Sequence, residues 1–358
     1  MLVYSITLFI VVLSAYLAEK SKSVGLSRCL LGLAIVTMVF VAGLRDRSVG
    51  SDSGNYVTFF ERIQTLQDVE RYGNRMGEWG FWVLTWLAHL VSNEYAIYFT
   101  FIALVFIGCC MRAITLYSSS IAISLFVFIS MGFYGEVFNG ARQAVACGFF
   151  MLSIGPMLEG NFKKFLGFIL IAFLFHKTAI MTLPAYLIFN KPNNLRNNLL
   201  IVLIGCVGLV FFERIVEIAS TFDERYAEYA NTDIGGGFKT VAFSVATAVF
   251  FLLFRSHVQI GRAWYDRFLN IFLFGVMIGI VSSILNANPS GILRYRIYFS
   301  QFVCFLWPIV FKNIPDRASK FLVWYIFIWV FLTFFVLTTQ RFSNLVPYEF
   351  NSHITFLN

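Results

Sequence analysis

Of the 358 residues, 59% are hydrophobic and only 13% are charged, with 43 phenylalanines and a mean hydropathy of +0.76. This balance excludes a soluble globular enzyme and defines an all-α, polytopic membrane protein. The net charge of +8 follows from loop topology in such a chain and gives no reason to expect a nucleic-acid partner.

Apolar runs of roughly 17–25 residues are read as spans. They fall at about 1–18, 26–44, 95–111, 119–135, 141–158, 163–176, 178–190, 198–212, 239–255, 265–286, 296–311 and 321–339, about twelve in all with a range of 11–13. The whole chain, 1–358, is thus expected to be a single integral membrane domain. The first run has no basic segment before it, and Lys20 and Lys22 follow it. It therefore reads as a first span with its N-terminus outside, not as a secretory signal.

Directly after the second run comes Gly43-Leu44-Arg45-Asp46-Arg47-Ser48-Val49-Gly50-Ser51-Asp52-Ser53-Gly54-Asn55-Tyr56. Ionisable groups where a span meets water mark a candidate site. Asp52, in a Gly/Ser-rich stretch that lets backbone approach a ligand, is the preferred general base. Asp46 is also read as an ion partner of Arg45 or Arg47. This segment opens an external loop over 45–94. Within it, 78–91 holds three tryptophans and is short for a span, so it reads as an interfacial helix. Glu78 opens that helix, where a carboxylate is either catalytic or simply favoured by the helix N-terminus.

Further along, Arg142 begins a helix of small residues. It is read as a bidentate phosphate ligand, or else as a snorkelling side chain or a partner of Glu136. His176-Lys177-Thr178, followed by Pro184, interrupts an apolar stretch and implies a wet cavity, because broken backbone in lipid must find partners. His176 could move a proton there or hold a sugar or phosphate, unless the residues form no more than a polar turn. The segment 213–238 reads as a second external loop in which tyrosines, carboxylates and three glycines make a mobile cover or an ordinary solvated surface. Arg294 and Arg296 then lie two residues apart after a turn at 286–291, so on a helix they diverge and serve different partners. No DxD occurs near the opening segment, and the six cysteines lie in apolar runs without CxxC spacing, so no metal, cofactor or disulfide framework is expected.

Orientation follows from short basic loops poor in acids: Lys20/Lys22/Arg28, Arg112, Lys163/Lys164, Lys191/Arg196, Arg255/Arg262/Arg267 and Lys312/Arg317/Lys320 are taken as cytoplasmic. On that assignment Arg45, Asp46, Asp52, Glu78, Glu136, Arg142, His176, Lys177, Arg294 and Arg296 all fall at the external ends of spans. Charge at one interface suits a substrate whose head is outside and whose tail is in lipid. A transporter would instead show ionisable residues at the midplane of repeated halves.

The ordered set GLRDRSVGSDSGNY, then Glu78-Trp79-Gly80-Phe81, Gly140-Ala141-Arg142-Gln143-Ala144, Phe175-His176-Lys177-Thr178-Ala179-Ile180 and Arg294-Tyr295-Arg296-Ile297-Tyr298 resembles the EpsG family, which is similar in role to Wzy-type O-antigen polymerases. The resemblance implies a GT-C-like membrane glycosyltransferase in the bacterial cytoplasmic (inner) membrane. Such an enzyme would join undecaprenyl-diphosphate-linked oligosaccharide repeat units at the outer face. It further implies Asp52, His176 and Glu78 as catalytic residues, and Arg142, Arg294, Arg296 and Lys177 as diphosphate ligands. Arg45, Tyr56 and Tyr298 would be glycan contacts. The lipid-linked donor and acceptor, membrane lipid and a chain-length regulator protein are the expected partners. A flippase for lipid-linked oligosaccharide and a membrane acyltransferase are the competing readings.

Overall fold

The computed structural model describes residues 1–210, 237–285 and 292–351. These residues are helical with no named strand; one isolated bridge joins Arg45 and Phe350. Seven helices among them are long and apolar enough to cross a membrane: Leu2–Lys20, Val24–Gly43, Tyr95–Tyr117, Ala141–Leu158, Phe238–His257, Arg262–Ile284 and Arg317–Arg341. They coincide with seven of the expected runs. The protein is a multi-pass membrane protein, and many apolar side chains stay on its surface, such as Phe9, Val36, Leu253 and Trp329.

Of the other five runs, 198–212 is the helix Leu195–Val210 with 211–212 outside the described residues, and four are present as shorter or interrupted helices. The run at 119–135 forms Ile121–Ser130 and then turns through Gly132, whose φ is 81°. Phe162–Phe175 stops where His176 becomes extended. A 3₁₀ turn over Lys177–Thr182 leads to Pro184 and the short helix Ala185–Phe189. The run at 296–311 is split between Ile292–Ser300 and Val303–Lys312, the latter carrying Pro308 inside it. The expected loop 213–238 lies outside the described residues except for Gly237 and Phe238, and so does the expected turn at 286–291.

The chain forms two compact units. The first comprises Met1–Ile180 with Pro315–Asn358. Its helices are α1 (Leu2–Lys20), α2 (Val24–Gly43), α3 (Ser53–Arg62), α4 (Leu66–Met76), α5 (Trp79–Val91), α6 (Tyr95–Tyr117), α7 (Ile121–Ser130), α8 (Glu136–Asn139), α9 (Ala141–Leu152), α10 (Ile154–Leu158), α11 (Phe162–Phe175) and, later in the chain, Arg317–Leu337. The α1–α2 hairpin packs against α7 and α6, α6 packs on α9, and α9 on α11.

The end of α1 meets the start of α7 and the end of α2 meets the start of α6, which gives the unit two distinct ends. At one end the Glu19 carboxylate accepts the Ile121 and Ala122 N–H groups, an acid where the α7 N-terminus favours one. Lys20, Arg28, Arg112, Lys163 and Lys164 lie near the helix ends on that side, and Lys22 lies between α1 and α2. At the other end, Tyr95 at the start of α6 donates its hydroxyl to Asp46 just beyond α2, at 3.2 Å. The 45–94 segment therefore leaves and returns at the same end, and α3, α4 and α5 are an excursion there.

The second unit, Met181–Ile314, is organised around one long helix, Arg262–Ile284, which touches the other described helices of that unit. Phe268 stacks on Phe305 with centroids 4.7 Å apart, and Phe250 on Trp307 at 5.2 Å. Its polar groups finish helix ends. Asp266 receives both Nε and Nη2 of Arg255 at 2.8 Å, and the buried Asn270 amide donates to the Lys191 and Ile188 carbonyls.

Candidate functional site

The start of α5 is where the chain becomes strained. Gly77 and Glu78 both have positive φ, 67° and 58°, and Glu78 is the unusual one, because a side chain disfavours that region. The positive φ of Gly77 favours glycine there, and a Cβ would in addition push aside the flexible end of Lys177, 2.7 Å away. The result is a carboxylate turned inward, with only 1% of the Glu78 side chain exposed.

Two charged or titratable groups meet that carboxylate. Arg142, the second residue of α9, donates from Nη1 to Oε2 at 2.5 Å. His176, the residue that ends α11, places Nδ1 2.6 Å from Oε1, and the Lys177 N–H donates to the same oxygen at 3.3 Å. The break expected at His176 thus delivers an imidazole and a backbone donor to one acceptor. Against an ionised carboxylate Nδ1 is the donor, and in the neutral imidazole Nε2 is then the acceptor. Arg142 further lies 5.8 Å from the Phe81 ring centroid and 5.9 Å from that of Trp82, with the Tyr56 hydroxyl beside it. Its ion partner is Glu78, not the Glu136 weighed from sequence. Phe81 and Trp82 were not singled out as site residues; their signal was the aromatic density right after Glu78.

The opening segment is tied down differently. Arg45 is buried, with 1% exposure, and its guanidinium sits 3.7 Å from the Phe99 ring centroid and 4.8 Å from that of Phe138. It donates to Ser53 Oγ at 3.0 Å, to the Val137 carbonyl at 3.3 Å and to the Ala42 carbonyl. Burial pushes its pKa down to about 10. Asp46 does not pair with Arg45 as expected: it accepts from the Ser48 N–H at 2.9 Å and from the Tyr95 hydroxyl. Partial burial raises its pKa, but the hydrogen bonds from Ser48 and Tyr95 outweigh this and hold it below the usual carboxylate value. Asp52 stands at the N-cap of α3, half-buried, and accepts from Ser51 Oγ at 3.1 Å. Asn139 steadies this loop, accepting the Ser51 N–H at 2.8 Å and donating to the Ser343 carbonyl at 2.7 Å.

Residues near the end of the chain complete the segment, a connection that sequence reasoning missed. The Asp46 N–H donates to the Glu349 carbonyl, the Asn351 N–H to Leu44, the Gly50 N–H to Asn344, and the Tyr348 hydroxyl to Val41.

Arg294, Arg296 and Tyr298 belong to the second unit. Arg296 donates from Nη1 to Ser244 Oγ at 2.8 Å, Arg294 is half-buried, and Tyr298 is fully buried. Among the described residues no group of three or more His, Cys, Asp or Glu could hold a metal ion.

Among the described residues the chain is thus an all-helical, multi-pass membrane protein in which one buried carboxylate is shared between an arginine and a histidine. Residues 28–350 match the EpsG family, and the chain belongs to it. Searches of curated proteins and of solved structures return no match.

Proposed function

We propose that this protein is a polysaccharide polymerase joining undecaprenyl-diphosphate-linked oligosaccharide repeat units at the outer face of the bacterial cytoplasmic membrane. Family membership supports a polysaccharide-related polymerase. The observation that carries the residue roles is the Glu78 carboxylate held between Arg142 and His176.

In this reading His176 is the general base and Glu78 the residue that fixes its tautomer, the same division of labour that an acid and an imidazole have in hydrolytic triads. His176 Nε2 takes the proton of the acceptor sugar hydroxyl. That oxygen bonds to the anomeric carbon of the donor glycan, and the bond from that carbon to the lipid diphosphate breaks. The departing diphosphate gains charge, and the Arg142 guanidinium stabilises it as a planar fork that cannot lose its proton. Lys177 would add charge on the diphosphate, while Tyr56 and Asp52 would face the sugars. Arg294, Arg296 and Tyr298 remain ligand candidates on the family resemblance alone, and Arg45 is the weakest glycan candidate because protein groups surround it.

The test is complementation of a strain lacking the gene with Glu78→Gln, His176→Ala, Arg142→Lys and Asp52→Asn, read as surface glycan on gels. Loss of polymerisation leaves single repeat units. A flippase defect would leave none exported, and an acyltransferase defect would leave normal length. Full-length polymer from the Glu78, His176 and Arg142 variants at normal protein levels would remove the assignment.

A further inference from the structure

Three arginines outside the Glu78 site converge on one cleft. Arg62 closes α3, and Arg71 and Arg75 lie one turn apart on α4; with Asp68 and Tyr72 they line a space of ≈ 310 Å³. This is at the lower end of the volumes that hold small ligands, about 300–1,000 Å³. Among the described residues none of these guanidinium groups is in an ion pair. Asp68, the acid on the wall, is already used as the cap of α4, accepting from the Thr65 hydroxyl at 2.7 Å and from the Thr65 and Gln64 N–H groups.

Charge placement separates a ligand site from a membrane-adhering face. Over residues 53–76 the arginines are matched in number by Glu61, Asp68 and Glu70, so the excursion is neutral overall. Glu61 faces Arg47 at 3.8 Å instead of the cleft. Adhesion to an anionic membrane needs a net cationic face, usually with several lysines. A neutral surface whose arginines gather in a concavity suits one discrete anion, bound by guanidinium forks. Tyr72 supplies an aromatic wall of the kind that packs on sugar rings.

The cleft is joined to the Glu78 site through packed aromatics. Tyr72 lies 5.4 Å from Trp82, which flanks Arg142 and donates its indole N–H to the Gly77 carbonyl at 2.6 Å. A Cβ on Gly73 would meet the Trp79 ring at 2.5 Å, so α4 is seated directly on α5.

We propose that the Arg62/Arg71/Arg75 cleft is a second binding site, which holds an acidic sugar residue of the glycan by its carboxylate or phosphate. That the anion is carried on a sugar rests on the polymerase reading; the anion site itself does not.

Full-length protein in detergent is titrated with an oligouronate trisaccharide and with its neutral, carboxyl-reduced counterpart, following tryptophan fluorescence. The acidic probe should bind at least ten-fold more tightly than the neutral one. Arg71→Gln/Arg75→Gln should remove that preference, and Arg62→Gln, on a different helix, should weaken it several-fold. Equal binding of both probes by the unchanged protein overturns the proposal. So does an undiminished preference in both variants. If Arg71→Gln/Arg75→Gln does not fold, Arg62→Gln decides. No step of the titration forms a glycosidic bond, so its failure is distinct from failure of the polymerase.

Discussion

Arg45, buried, and Arg142, partly buried, lie at the same end of the first unit, yet the protein completes them in opposite ways. Arg45 is surrounded by carbonyls, a serine hydroxyl and two phenylalanine rings, with no carboxylate. Its charge ties together α2, α3 and α8, and the titratable groups near it are tyrosines. Arg142 leans on a carboxylate that also holds an imidazole, and that carboxylate sits on strained backbone. An ionisable residue at a membrane edge is thus either a fastener or part of a site, and its partners show which it is.

Four changes would break or sharpen this contrast. Glu78→Gln should be the most severe, lowering polymer yield by about 100-fold or more, because the amide can satisfy neither the arginine charge nor the histidine tautomer. The measurement is polymer formed per unit of folded protein, and near-normal yield would make Glu78 another fastener. Arg142→Lys should keep the charge but lose the fork, with a drop of roughly ten-fold or more at unchanged protein level. Arg45→Met should do the reverse. It orphans buried carbonyls and costs about 2–4 kcal/mol of stability, seen as a lower unfolding midpoint, while whatever protein still folds retains its activity. If Arg45→Met lost activity without losing stability, the contrast would collapse.

The smallest effect concerns pH. The native Asp46 pKa lies below its ordinary value, so its stabilisation is complete above the ordinary carboxylate pKa and is lost as pH falls through the depressed one. Acidification from about pH 5 to about pH 3 should therefore lower the unfolding midpoint more in the unchanged protein than in Asp46→Asn. Equal slopes would mean that the Ser48 and Tyr95 bonds contribute nothing.

How far these features could be read in advance depended on whether their causes were local. Apolar run length located the seven long helices, and His176-Lys177 with Pro184 marked a break because those residues are unfavourable inside lipid. The broken runs were harder to count, since hydropathy does not register a turn such as the one at Gln301–Phe302. Glu78, Arg142 and His176 were each legible as candidates. Their meeting was not, because it joins residues 64 and 98 positions apart through a backbone conformation that no side-chain pattern announces. Asp52 drew more weight as a base than Glu78 because glycines and serines around a carboxylate look like a ligand loop; it stands at the N-terminal boundary of α3 without capping it through its side chain, which leaves its role open to test. The charge role expected of Asp46 failed for a similar reason, since its partner Tyr95 lies beyond three intervening helices.

The binding of residues 344–351 across Arg45, Asp46 and Gly50 also sets an order of assembly. Chains emerge N-terminus first, so the opening segment is made early and then waits, its backbone groups at Leu44, Asp46 and Gly50 incomplete, until nearly three hundred further residues have followed. A truncated chain ending anywhere between residues 177 and 343 has the Glu78, Arg142 and His176 side chains and still lacks the hydrogen bonds that residues 344–351 place around their neighbouring loop.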